Sequence, residues 1–209
     1  MIFRIRNVLR LRSGDSLIIF YPENPYEVLI ESVDKDAVSV TMVSKINFVK
    51  NDCLPVAYLG VTKKDAFESS VDALIQAGAG IIQPVICEKS YPLEWNDGFK
   101  KRLAKIVQGS QEQSKNYNLV TVFQPQKLAN LELGSALNVY FDAQGSSVFA
   151  VQNAAQNRAI NLFVGPEGGF SPNENAFFEK NNFICCALTP TIMRTEQAAL
   201  LAFALFNLK

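Results

Sequence analysis

Residues 160–174 read INLFVGPEGGFSPNE and carry three structural signals in a row. Ile160 to Val164 is a run of strand length, apolar at every position but Asn161, as expected of a strand covered on both faces. Ser171-Pro172-Asn173-Glu174 pairs an N-cap Ser with Pro at the first helical position and Glu three residues on, which predicts a helix starting there. Between them lies a turn of bare backbone, Gly165-Pro166-Glu167-Gly168-Gly169. A turn at the carboxyl end of a buried strand is where open α/β sheets bind ligands. This one lacks the Lys-Ser/Thr of a Walker loop and does not match GxGxxG. The Glu167 carboxylate would also repel a phosphate. Glycines let a main chain approach a ligand closely, and an uncharged or cationic ligand, such as an adenine ring or a sulfonium, suits the charge. A plain tight turn is the alternative.

Outward from this stretch, strand-like runs at 54–60, 81–86, 119–123, 137–141 and 183–188 alternate with helical patterns. Phe67, Val71, Leu74 and Ile75 fall on one helical face behind Thr62 or Asp65 as a cap, with Gly78 and Gly80 to end the helix. Phe99, Leu103, Ile106 and Val107 repeat the spacing behind Asn96-Asp97. Apolar strands alternating with amphipathic helices predict a parallel sheet covered on both faces. Upstream, residues 16–21, 26–33 and 37–43 read as three short strands joined by PENP and Asp34-Lys35-Asp36. The character changes near Asn51-Asp52, predicting a small β domain over 1–50 and an α/β domain over 51–209.

Composition narrows the function. The 209 residues are 48% hydrophobic and include no histidine. That excludes Ser-His-Asp triads and His-liganded metals, and leaves proton transfer to a carboxylate, Lys, Tyr, Cys or water. Cys53, Cys87, Cys185 and Cys186 show no metal spacing and read as buried, reduced thiols, so no metal is expected. The longest apolar run, Ala198 to Phe206, is about half the ~20 residues a bilayer requires. No apolar signal core precedes Arg10 and Arg12, and a cytoplasmic protein is expected. Net charge is zero, yet the first twelve residues hold Arg4, Arg6, Arg10 and Arg12 and no acid. The remaining 197 hold 16 basic and 20 acidic residues. Such an edge reads either as a polyanion contact or as a solvated arginine face.

A second unusual stretch is LTPTIMRTEQAALLAFALF, residues 188–206. Pro190 forces an extended loop and Thr195 can cap the last helix. That helix is apolar nearly all round, so it is expected to be buried on more than one side, within a homodimer interface or inside the chain. Arg194 precedes the helix N-terminus, where the macrodipole disfavours a cation. A functional role is the reading of that position.

FVGPEGGFSPNE and TIMRTEQAAL together resemble the RsmE-type ribosomal RNA uridine-N3 methyltransferases of the SPOUT superfamily. Weaker echoes run through VLRLRSGD (8–15), Lys63-Lys64-Asp65 to Gln76-Ala77-Gly78, and QEQSKN (111–116). The resemblance implies an α/β domain with a trefoil knot around a parallel sheet, preceded by a small, shortened PUA-like β-barrel. It implies S-adenosylmethionine as cofactor, N3 of a uridine in small-subunit (16S-type) ribosomal RNA as acceptor, and a homodimer joined through the C-terminal helix. Carried over by position, Gly165, Pro166, Glu167, Gly168 and Gly169 form one wall of the cofactor site. Leu188, Ile192, Met193 and Arg194 form another, with Leu162 and Phe163 supporting the adenine region. Arg194 is expected to orient the base, and Glu167 or Glu196 to take the N3 proton. Arg4, Arg6, Arg10 and Arg12 are the expected RNA contacts, sharing a face if they alternate along a strand.

The match departs from the family pattern at Phe3-Arg4, where a His-His pair is common. Thr189 stands for Gly, Thr191 for Arg, Gln76 for Glu and Asn116 for Arg. A Cβ at 189 threatens the close approach to cofactor, and each lost cation weakens RNA binding. These departures keep open a second outcome, a degenerate relative that binds ribosomal RNA as a non-catalytic assembly factor. A third, an unrelated α/β nucleotide binder, is disfavoured by Glu167 and the missing phosphate motifs.

Overall fold

The computed structural model describes residues 2–21, 24–47, 54–155 and 158–207. The change of character at Asn51-Asp52, Cys53, and part of the PENP turn lie outside them. The chain divides into two units, Met1–Lys50 and Asn51–Lys209.

In the first unit a five-residue π-helical turn, Arg4–Val8, is followed by β1 (Ser16–Phe20), β2 (Pro25–Val33) and β3 (Val38–Lys45). The strands form an antiparallel meander in the order β1-β2-β3. Val28 and Ile30 of β2 are fully buried, as is most of Ile5 from the π turn. The expected strand alternation of the arginines is not what forms, because residues 4–8 are helical. Arg10 then takes φ 54°, a left-handed conformation uncommon for a side-chain-bearing residue, and turns the chain back.

The second unit runs β4 (Val56–Gly60), α1 (Lys64–Gln76), β5 (Ile81–Ile86), α2 (Asp97–Ser114), β6 (Thr121–Val122), β7 (Gln126–Lys127), β8 (Leu137–Ser147), α3 (Val148–Ala155), β9 (Ile160–Val164), α4 (Pro172–Lys180), β10 (Ile184–Ala187) and α5 (Thr195–Asn207). All pairings are parallel, in the order β10-β8-β9-β4-β5-β6, with β7 also beside β5. The α/β class with a parallel sheet is as the sequence implies. Strand alternation divides the side chains between two cores. Ala57, Leu59, Leu162 and Val164 face α1, α2, α3 and α5, meeting Phe67, Val71, Phe99 and Phe203. Tyr58 and Phe163 face α4 and stack at 4.2 Å, with Phe178 beside them fully buried.

Caps form partly as the sequence suggests. Asn96 caps α2 by accepting from the Phe99 N–H at 2.9 Å. Ser171 and Glu174 close both bonds of a capping box on α4. α1 differs: its N-cap is Lys63, with no side-chain cap bond from Thr62 or Asp65. α5 begins at Thr195 itself, whose hydroxyl donates to the Gly165 carbonyl at 3.2 Å. One face of α5, through Thr195, Ala199, Ala202 and Phe203, is buried against α1, β9 and β4, while Leu200 is exposed.

Candidate cofactor and active site

The glycine turn is held to its conformation from several sides. The Gly169 N–H donates to the Pro166 carbonyl at 2.8 Å, closing the turn, and Gly169 sits at φ 64°, which glycine adopts without strain. The end of β4 passes so close that a Cβ on Gly60 would lie 2.5 Å from the Pro166 nitrogen. Glu167 turns back over the start of α1, where its Oε1 accepts from the Lys63 N–H at 3.4 Å. A helix N-terminus is a favourable place for a carboxylate. This gives a local reason for a negative charge in the turn.

Downstream, the capping box doubles as an anchor. Glu174, buried, accepts from the Ser171 N–H at 2.7 Å and from the Glu88 N–H at 2.9 Å. The Asn173 amide donates to Glu88 at 3.0 Å, and this bond holds the Glu88 carboxyl below its ordinary range. Burial, reinforced by Glu174, pushes the Cys87 thiol well above the ordinary thiol value. The strand-end segment 87–90 and the turn 165–174 are therefore one tied unit.

Beside this turn lies a recess of about 710 Å³, within the range of small-molecule sites. It opens at the carboxyl ends of β9 and β10, beside the middle of β8. Gly165, Pro166, Glu167, Gly168 and Gly169 line one side, and Leu188, Ile192, Met193 and Arg194 another, with Glu196 at the start of α5. Leu162 and Phe163 do not line it. They are 2% and 1% exposed, locked in the two cores on opposite faces of β9, and Val164, one residue on, is the strand residue that reaches the recess. Ile192 is 94% exposed and Arg194 is exposed, so the outer rim is open to a large partner.

Sequence reasoning missed a third wall. Phe141, Asp142 and Ala143 come from the middle of β8, which runs six residues past Phe141, where its apolar signal ends. The register between β10 and β8 jumps from Cys185–Tyr140 to Cys186–Ser146, so residues 141–145 swing out of the ladder. Gly145 permits the return: a Cβ there would lie 2.5 Å from the Cys186 backbone. The glycine within DAQGSS was the available signal. With Asp142 included, three carboxylates and one arginine line the recess. That set favours a ligand carrying positive charge.

The departures have structural explanations. Thr189 lines the recess without positive φ, and its hydroxyl donates to the Thr191 carbonyl at 2.7 Å. Asn116 is not an RNA-facing position: it is 7% exposed, and its amide donates to the Ile75 and Ala79 carbonyls at 2.9 and 3.1 Å. Gln76 stays on the α1 surface and donates to Asp72 at 2.8 Å.

In the first unit, Arg6, Arg10 and Arg12 surround a shallow recess of about 600 Å³ with Asn7, Ser13 and Val33. Arg4 lies half-buried on the π turn. Three of the four expected RNA contacts thus converge, through the reversal at Arg10. Among the described residues no cluster of Cys, Asp and Glu is arranged to hold a metal ion, and no helix is long and apolar enough to cross a membrane. Cys87 and Cys186 are buried free thiols and Cys185 is half-buried.

A model of the RNA methyltransferase domain family matches residues 52–207. The chain is 28% identical over 221 residues to the Bacillus subtilis protein named ribosomal RNA small subunit methyltransferase E, covering 97% of this chain and 85% of that one. It is 24% identical to the protein of the same name from Aquifex aeolicus, covering 94% and 85%. In structure it is similar to the Neisseria gonorrhoeae ribosomal RNA small subunit methyltransferase E bound to S-adenosylmethionine, with a TM-score of 0.85 at 21% identity over 97% of this chain and 86% of that one. A Legionella pneumophila putative methyltransferase, solved with S-adenosylmethionine, superposes with a TM-score of 0.84 at 24% identity over 98% and 87%. The chain belongs to the RNA methyltransferase domain family.

Proposed function

We infer that this protein is an S-adenosylmethionine-dependent methyltransferase of small-subunit ribosomal RNA, and we propose N3 of a uridine as the acceptor. The observation that carries the reading is a single recess whose walls are the turn 165–169 and the segment 188–194, the two motifs of the resemblance. The relatives' names support the RNA class, and the neighbours solved with S-adenosylmethionine support the cofactor. The N3 position rests on the motif resemblance.

The residues present fit the cofactor. S-adenosylmethionine supplies a methyl group on a sulfonium, beside an ammonium. Asp142, Glu167 and Glu196 set a negative potential suited to those cations. Gly168 and Gly169 present main chain rather than side chains to the ligand. Arg194, exposed at the rim, has planar donors suited to the uracil carbonyl oxygens, where negative charge grows as the N3 proton leaves. Glu167 or Glu196 takes that proton. Positioning does most of the rest, since the methyl leaves a good leaving group.

The same reading assigns residues 51–209 as the methyltransferase domain and 1–50 as a PUA-like unit that binds RNA through Arg4, Arg6, Arg10 and Arg12. A trefoil knot at the C-terminus is supported by how the segment 188–194 meets 141–143 and 165–169 in one recess before α5 packs against α1 and β9. A homodimer through α5 is supported by Leu200, 40% exposed on that helix, and Phe149, 73% exposed on α3. A ribosomal substrate supports a cytoplasmic location.

Single-turnover transfer at saturating cofactor tests the roles. Arg194→Ala and one of Glu167→Gln or Glu196→Gln are expected to slow transfer by about 10²-fold, the usual scale of a general base or oxyanion donor. Unchanged rates in all three variants would remove the assignment.

A further inference from the structure

We propose that Lys89, which lies in neither motif, is a positioning residue that locks the glycine turn in its ligand-binding conformation. This rests on the reading of the recess as the cofactor site. Lys89 follows β5 in a turn of its own, where the Ser90 N–H donates to the Cys87 carbonyl at 3.1 Å and the Ser90 hydroxyl accepts from the Cys87 N–H at 3.0 Å. From there its side chain crosses the glycine turn. Nζ donates to the Gly168 carbonyl at 2.9 Å and to the Phe170 carbonyl at 3.0 Å.

These two bonds decide the orientation of the backbone. In a trans peptide the carbonyl and the following N–H point in opposite directions. Holding the Gly168 carbonyl on Lys89 therefore sends the Gly169 N–H the other way, where it closes on the Pro166 carbonyl at 2.8 Å. Without that hold the Gly168–Gly169 peptide is the easiest one in the turn to flip, since neither residue carries a Cβ to resist it. A flip would present a carbonyl where an N–H now lies and would reopen the turn. The ammonium is the charged partner, so both bonds belong to the stronger class.

The packing is specific to this arrangement. A Cβ on Gly168 would lie 3.1 Å from Lys89 Cδ and 3.2 Å from Lys89 Cβ, so Gly168 is bare on the side where the lysine stem passes. Gly165 is bare for another reason, its Cβ direction being filled by the Phe170 ring at 3.3 Å. The Glu174 and Asn173 bonds to Glu88 bring the two segments together, but they do not touch the carbonyls of the turn. Lys89 alone among these ties fixes peptide orientation.

The test uses the full chain, with S-adenosylmethionine binding measured by calorimetry and transfer to small ribosomal subunits measured in single turnover. Lys89→Met is expected to weaken cofactor binding about tenfold, with the rate at saturating cofactor within about twofold of the unaltered protein. Lys89→Arg, which keeps a cation and several donors, is expected to recover most of the affinity. Gly168→Ala, which displaces the lysine stem, is expected to weaken binding as Lys89→Met does. Asn173→Ala, which loosens the same segments without touching the turn carbonyls, is expected to leave affinity unchanged. Equal affinity in Lys89→Met and the unaltered protein would overturn the proposal, as would an Asn173→Ala loss equal to that of Lys89→Met. Failure of the unaltered protein to bind S-adenosylmethionine would instead overturn the cofactor reading beneath it.

Discussion

Individual side chains show where the turn and the core have no slack. Gly60→Ala drives a Cβ into the Pro166 backbone, 2.5 Å away, and neither strand end nor turn can yield without moving the other. Overpacking of this kind costs about 2 kcal/mol, and urea unfolding should show a lower midpoint at unchanged slope. Asn116 stands where the family pattern has an arginine, yet it is buried. Its amide bridges the end of α1 to the segment that follows, joining the Gly78 N–H on the Ile75 carbonyl and supplying the donor for the Ala79 carbonyl. Asn116→Leu strands the Ala79 carbonyl and is expected to destabilise by about 2 kcal/mol without restoring any RNA contact. The thiols behave as the burial of their side chains dictates. Burial, helped by the Cys185 neighbour, pushes the Cys186 thiol up to about 12. A folded-state value raised above the unfolded one contributes stability that is present at neutral pH. That contribution is lost as pH rises from the ordinary thiol value towards about 12. Peptide-resolved alkylation at neutral pH should accordingly leave Cys87 and Cys186 unmodified until the protein unfolds.

Among the elements, those governed by local chemistry were legible and those governed by distant pairing were not. α4 could be placed to the residue from Ser171-Pro172-Asn173-Glu174, because a capping box satisfies its own donors within one turn. Ser171→Ala should therefore cost about 1 kcal/mol, read from the same denaturation curves. β9 and the glycine turn were legible for a similar reason, since an apolar run broken by Gly-Pro admits few other structures. β8 was not: LNVYF ends its apolar signal at Phe141, yet the strand runs to Ser147 because β10, some forty residues later, pairs with both its halves. The third wall of the recess, with Asp142, arises from that long-range pairing and has no local signature beyond Gly145. The arginines at the N-terminus failed differently. Their alternation suggested a strand, whereas Ile5 is the residue that buries, and a helical turn is what presents it. Leu162 and Phe163 do not line the recess, because alternation on a two-sided sheet sends both into cores.

The molecule as a whole carries a recess suited to a cation and an arginine-lined surface suited to a polyanion. Replacing Arg6, Arg10 and Arg12 together by Ser should lower affinity for small-subunit RNA and reduce the slope of log affinity against log salt by about 2, as expected when three cations leave a single-stranded backbone. An unchanged slope would mean that the recess they form is a solvated face only. The most direct test of the central claim is transfer of a labelled methyl group from S-adenosylmethionine to unmodified small ribosomal subunits, followed by digestion to nucleosides. The expected result is label in N3-methyluridine and its loss with Arg194→Ala. Label in another nucleoside, or no transfer by folded protein that binds the cofactor, would contradict it.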